Sequence, residues 1–218
     1  MSTSIFKKEG SLLFYICFLI YFILSGFLTI VIPKAESFIW INHWRSFPAD
    51  IFFSMITYCG NGFFITFLVL LFFILKLKKT AILIAAGYIV SGLIALWLKH
   101  YFNFPRPAGY FSDPDLVRSA PWVTLYHQYS FPSGHTISVF TTAVIISLFF
   151  REKKWIAVLC FAIACLTAYS RVYLGEHFIM DTWMGSLIGV LTGTCCFLVQ
   201  QRILKKKNDY PKGGRLGK

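Results

Sequence analysis

The chain has 218 residues, 57% of them hydrophobic, 19% aromatic and only 14% charged, with a mean hydropathy of +0.66. A water-soluble domain of this length has no interior large enough to hide so much apolar surface, so the composition excludes one and points to an integral membrane protein. The formal charge of +12 does not mark a nucleic-acid binder, because the cations sit in short clusters between apolar runs and in a C-terminal tail, the pattern of basic membrane loops.

In chain order, Lys7-Lys8 precede an apolar run at 11–32. At 22 residues it is too long for the core of a signal peptide, and no small-x-small cleavage site follows, so it reads as an uncleaved first span. Five more candidate spans follow at 51–75, 80–98, 136–150, 155–170 and 182–201, and none of the six contains Asp, Glu, Lys, Arg or His. A bilayer needs roughly 20 apolar helical residues, so the fourth and fifth depend on their flanks to complete the crossing. The six tryptophans lie in loops or near segment ends, as an interfacial aromatic belt requires. The six cysteines fall inside apolar segments without a C-x-x-C pair or a neighbouring histidine; they read as small buried hydrophobes rather than metal ligands or disulfides.

Topology follows from the basic residues. With the N-terminus inside, fifteen of the 21 Lys and Arg fall on cytoplasmic pieces, and Lys34, Arg45, Lys99, Arg106, Arg118 and Arg171 remain outside. The expected fold is therefore all-α and polytopic, with six transmembrane helices and both termini cytoplasmic. A single membrane domain covers 1–207, and a basic, flexible tail covers 208–218.

The ionisable residues that topology leaves unexplained gather on the outer side. Lys99-x6-Arg106-Pro107 ends the third span, and Pro105 and Pro107 stop the helix and stiffen the backbone around Arg106. Two cations presented this way suit a phosphate clamp; they also suit a snorkelling lysine and a headgroup-binding arginine. Pro132-Ser133-Gly134-His135 opens the fourth span. Ser133 is placed as an N-cap, Gly134 admits close approach of a ligand, and a helix start attracts anions. His135 would stand beside that anion as an acid; a plain cap with an exposed histidine is the other reading. Ser170-Arg171-x5-His177-x3-Asp181 joins the last two spans. Helical spacing places His177 and Asp181 on one face, so that the carboxylate holds one ring nitrogen and frees the other for attack. A helix-end histidine with a capping aspartate fits the same spacing. Asp113, Asp115 and Arg118 read as a solvated loop, and His43, His100 and His127 as interfacial.

These three patterns, in this order and at helix margins, resemble the signature motifs of the type 2 phosphatidic acid phosphatase superfamily, which includes membrane lipid phosphatases, glucose-6-phosphatase and the vanadium haloperoxidases. The resemblance implies His177 as nucleophile through a phosphohistidine, oriented by Asp181. It implies His135 as the acid and then the base, with Lys99, Arg106, Ser133, Gly134 and Arg171 binding the phosphoryl oxygens. It implies neither metal nor cofactor. The expected function is hydrolysis of a phosphate monoester or pyrophosphate on a membrane lipid at the periplasmic face of a bacterial inner membrane. Lipid A phosphate and undecaprenyl pyrophosphate lead among substrates, ahead of phosphatidylglycerol phosphate and phosphatidic acid. The partners are that lipid and the bilayer, with no nucleic acid and no obligate protein partner. A lipid-to-lipid phosphotransferase would use the same residues; a transporter or an inactive assembly protein is the alternative of another class.

Overall fold

A computed structural model describes residues 8–209, and among them the chain is helical, without a strand. Lys7 and the tail residues Lys212, Arg215 and Lys218 lie outside the described residues. The first apolar run forms α1 (Glu9–Val31). Pro33 then opens α2 (Lys34–His43), a short helix whose Ser37, Phe38 and Asn42 are buried.

The expected second span is not one helix. α3 (Phe47–Ile56) passes into a 3-10 turn at Thr57–Gly60, and the chain restarts as α4 (Gly62–Ile74), the two arms bent by 58°. Asn61 caps the restart, its side chain accepting from the Phe63 amide at 3.1 Å. At Gly60 a Cβ would fall 2.6 Å from the carbonyl oxygen of His135. Both flanks stay apolar, so hydropathy alone does not register the break.

α5 (Lys78–Phe102) ends because Asn103 adopts the left-handed conformation, φ 44°, rather than because of the prolines beyond it. α6 (Pro107–Tyr110) is a single turn that begins on Pro107. α7 (Gly134–Phe149), α8 (Lys154–Tyr173) and α9 (Ile179–Asp209) follow, and α9 runs past the expected end at 201. Among the described residues four helices are long and apolar enough to cross a membrane, or five if the bent α3–α4 pair is one span. The chain is therefore an all-helical, multi-pass membrane protein.

The 16-residue α7 is shorter than these but lies at the centre, packed against α9, α8 and α5, with nearly every residue from Thr136 to Leu148 buried. Small residues make that packing close. Gly185, Gly189 and Gly193 form a stripe along α9 that faces α7, where a Cβ on Gly189 would come within 2.6 Å of the Ile137 carbonyl oxygen. Thr141 also donates its hydroxyl to the Gly189 carbonyl at 3.1 Å. Phe14, Phe18, Ile65, Phe140, Val144, Ala164 and Val190 fill the core on either side of this pair.

One end of the bundle is basic and tied together. Lys8 pairs with Glu152 and Lys154 with Glu9, while the Gly10 amide donates to the Arg151 carbonyl. The six cysteines are free, as expected, but none is fully buried; Cys195 is exposed and the others are partly so. In a bilayer, lipid rather than protein covers such positions. Trp40, Trp44, Trp97, Trp122 and Trp155 are exposed, whereas Trp183 is half-buried, stacks on Phe22 and donates to its carbonyl.

Candidate active site

Consecutive long helices alternate in direction, so the end of α5, the start of α7, the end of α8 and the start of α9 meet at one end of the bundle, opposite the basic one. Between them and the α3–α4 break lies a cavity of about 810 Å³, lined by Lys99, Arg106, Gly134, His135, Arg171 and His177, together with Thr57, Asn61, Tyr126 and Glu176.

α8 is closed by a Schellman motif. Gly175, at φ 77°, donates its amide to Val172, and Glu176 donates to Arg171. The left-handed residue turns the chain sharply and delivers Glu176 and His177 to the cavity. His177 is consequently in the turn before α9 and not on the helix with Asp181. The expected contact forms all the same: Nδ1 lies 3.3 Å from Asp181 Oδ2. Asp181 is held by its helix, because the same Oδ2 accepts the Phe178 amide at 2.9 Å, as a third-position acid reaching back to the helix start does. Ser130 donates to it at 2.5 Å and lies 3.4 Å from His177 Nδ1. An ionised carboxylate only accepts, so the proton of this histidine belongs on Nδ1 and the lone pair on Nε2. Burial first, and then the positive charges of Arg106, Lys99 and Arg171, hold the His177 imidazole well below its ordinary value. It is neutral near pH 7.

Each cation is anchored on one side. Lys99 Nζ donates to the Tyr129 carbonyl at 2.6 Å. Arg106 donates from Nε to the Gln128 carbonyl at 3.0 Å and from Nη1 to Glu176. Arg171 donates from Nη1 to Thr57 Oγ1 at 2.8 Å, and its Nη2 forms an ion pair with Glu176 Oε2 at 3.2 Å. Its Nε is buried without a partner. Ser133 stands at the start of α7, yet its hydroxyl makes no capping bond; it accepts from Thr136 Oγ1 at 3.0 Å instead. Its amide donates to the Asp181 carbonyl and so ties the start of α7 to that of α9. A Cβ on Gly134 would meet only Lys99 Cε, at 3.9 Å, which leaves the helix start open to a ligand.

The structure thus gathers every sequence-derived site residue at one end, and it adds Glu176, Ser130 and Thr57, which the motifs leave unmarked. A further brace holds the turn. Asn42 donates to the carbonyls of Arg118 and Tyr173 and accepts the Arg118 amide, and Arg45 joins the Tyr173 carbonyl to Asp50. The last carbonyls of α8 find their partners there. The outer loop is accordingly fixed at Arg118 rather than merely solvated. His43, His100 and His127 stay at the margin, each beside a backbone carbonyl. Among the described residues no three of His, Cys, Asp and Glu come together as a metal-holding group.

Fold and site define a polytopic membrane protein with a cation-lined pocket that contains two histidines. The sequence model of the PAP2 superfamily matches residues 80–205, and the chain belongs to that family. It is 32% identical over 136 residues to lipid A 4′-phosphatase of Porphyromonas gingivalis, covering 59% of this chain and 56% of that one. It is 30% identical to undecaprenyl-diphosphatase of Sulfolobus acidocaldarius, covering 52% of each. The chain thus spans about half the length of these curated relatives. Among solved structures, LpxE of Aquifex aeolicus superposes with a TM-score of 0.65 at 33% identity, over 75% of this chain and 94% of that one. A PAP2-type phosphatidylglycerolphosphate phosphatase of Bacillus subtilis shares the fold at 23% identity, with a TM-score of 0.65.

Proposed function

We propose that the chain is a membrane lipid phosphatase that works through a phosphohistidine. His177 Nε2 attacks phosphorus, the bond from phosphorus to the lipid oxygen breaks, and His135 gives that oxygen its proton. His135 then takes a proton from water, which attacks the phosphorus–nitrogen bond and releases phosphate and free His177. Asp181 holds the imidazole, while Lys99, Arg106, Arg171 and the α7 start around Ser133 and Gly134 stabilise the charge on the transferring oxygens. Those cations take the electrostatic part that a metal plays in other phosphatases.

The observation that carries this reading is one histidine held through Nδ1 by a buried carboxylate, in the same cavity as a second histidine and three cations. The proposed topology has six spans, with α3–α4 and α7 counted as one each, both termini cytoplasmic and the cavity at the periplasmic face of a bacterial inner membrane. The relatives favour lipid A phosphate or undecaprenyl pyrophosphate as substrate.

Purified protein given a lipid labelled in its phosphate and quenched in alkali is expected to carry acid-labile label on His177, and none after His177→Ala. Vanadate should inhibit and EDTA should not. Lipid turnover that survives His177→Ala would overturn the mechanism.

A further inference from the structure

Glu176 is the one carboxylate among the residues lining the cavity, and no part of the reaction above uses it. The residue is 4% exposed. A single oxygen, Oε2, is shared between Arg106 Nη1 and Arg171 Nη2. The Schellman turn that presents the nucleophile also fixes Glu176, whose amide donates to the Arg171 carbonyl at 3.0 Å. It is as rigidly placed as His177.

We infer that Glu176 is the specificity-determining residue of this pocket and, working through Arg106 and Arg171, selects a phosphate monoester over a diphosphate. The inference rests on the phosphatase reading and narrows its substrate. The cavity's cations are Lys99, Arg106 and Arg171, and among the described residues no other lysine or arginine lines it. Two of the three already share a carboxylate. A phosphate monoester brings about two negative charges near neutral pH, and a diphosphate brings more, spread over a second phosphoryl group. That second group would find no cation of its own and would meet the carboxylate of Glu176. A monoester needs only the donors the two arginines keep after binding Glu176. Neutralising Glu176 leaves both arginines in place and raises the charge of the pocket by one, which favours the more highly charged substrate.

Farnesyl phosphate and farnesyl diphosphate differ by one phosphoryl group on the same tail, so they isolate this effect. The wild-type protein in detergent is expected to show the higher kcat/KM with the monophosphate. Glu176→Gln is expected to move the diphosphate-to-monophosphate ratio about tenfold or more toward the diphosphate, and to tighten inhibition by inorganic pyrophosphate more than by phosphate. Glu176→Asp should keep the wild-type ratio. If Glu176 only braces the arginines, the two substrates fall together and the ratio stays put, which overturns the inference. A wild-type preference for the diphosphate overturns it without any variant. Should the wild type hydrolyse neither lipid, the phosphatase reading fails on its own. Thermal stabilisation of the wild type and Glu176→Gln by phosphate against pyrophosphate then still decides what Glu176 does.

Discussion

Three bonds converge on one oxygen of Asp181, from Ser130, from the Phe178 amide and from His177. They decide which ring nitrogen of His177 is free. Asp181→Asn keeps the shape but offers an amide in place of the carboxylate, so the tautomer is no longer enforced; kcat should fall about a hundredfold or more with the fold intact. Ser130→Ala leaves the carboxylate its other two partners and should cost about tenfold. The burial that lowers the imidazole of His177 also sets a pH limit. A nucleophilic histidine acts in its neutral form, and a depressed value keeps it neutral below the ordinary 6.5. The acid limb of kcat/KM, corrected for ionisation of the substrate, should therefore lie below pH 6.5; a limb at or above it means that the resting histidine is not desolvated. The eight candidate residues could be picked out because each belongs to a pattern with a mechanical reason. Ser130, Glu176 and Thr57 were not, because a hydroxyl or a carboxylate takes on a role only through what the fold sets opposite it. Thr57 lies 114 positions from the arginine it accepts from.

At the scale of elements, a stripe of small residues every fourth position on α9 lets α7 come close, and α7 carries His135. Gly189→Ala places a methyl against the Ile137 backbone, so either the helices separate or the start of α7 shifts. The melting midpoint in detergent should drop, by an amount corresponding to about 1–3 kcal/mol, and activity should fall with it. A larger side chain such as Leu should prevent assembly. Gly92 on α5, where a Cβ meets nothing within 4 Å, provides the control, and Gly92→Ala should leave the midpoint unchanged or raised. Apolar length exposed most of these helices to a reading of the sequence. It did not expose the break at Thr57–Gly60, where turn chemistry is embedded in apolar flanks, nor the start of α9. The spacing of His177 and Asp181 reads as two residues on one helical face, whereas the structure reaches the same contact through a turn and the first helical turn after it.

Across the whole molecule, charge separates from chemistry. Lys8, Arg151, Lys153 and Lys154 sit at one end of the bundle, around the α7–α8 turn and the start of α1, and Gln200 near the end of α9 bonds the Lys79 carbonyl beside the start of α5. The cavity lies at the other end, where Arg45 is engaged by Asp50, Arg106 and Arg171 by Glu176, and Lys99 by a carbonyl. Basic residues flanking apolar helices resist translocation, so the proposed topology puts the basic end of the bundle in the cytoplasm and the cavity on the opposite side. A phosphatase or fluorescent reporter fused after Lys207 should accordingly read as cytoplasmic, and an epitope inserted between residues 112 and 119 should be labelled from outside intact spheroplasts. Both signals on one side would require an even number of crossings between the α5–α7 loop and the end of α9, which α7, α8 and α9 permit only if one of them does not span. At 16 residues, or about 24 Å of helix, α7 is the element on which that outcome would fall. The pocket would then have to be entered from the cytoplasm, and the periplasmic assignment of the reaction would fail while its chemistry stood.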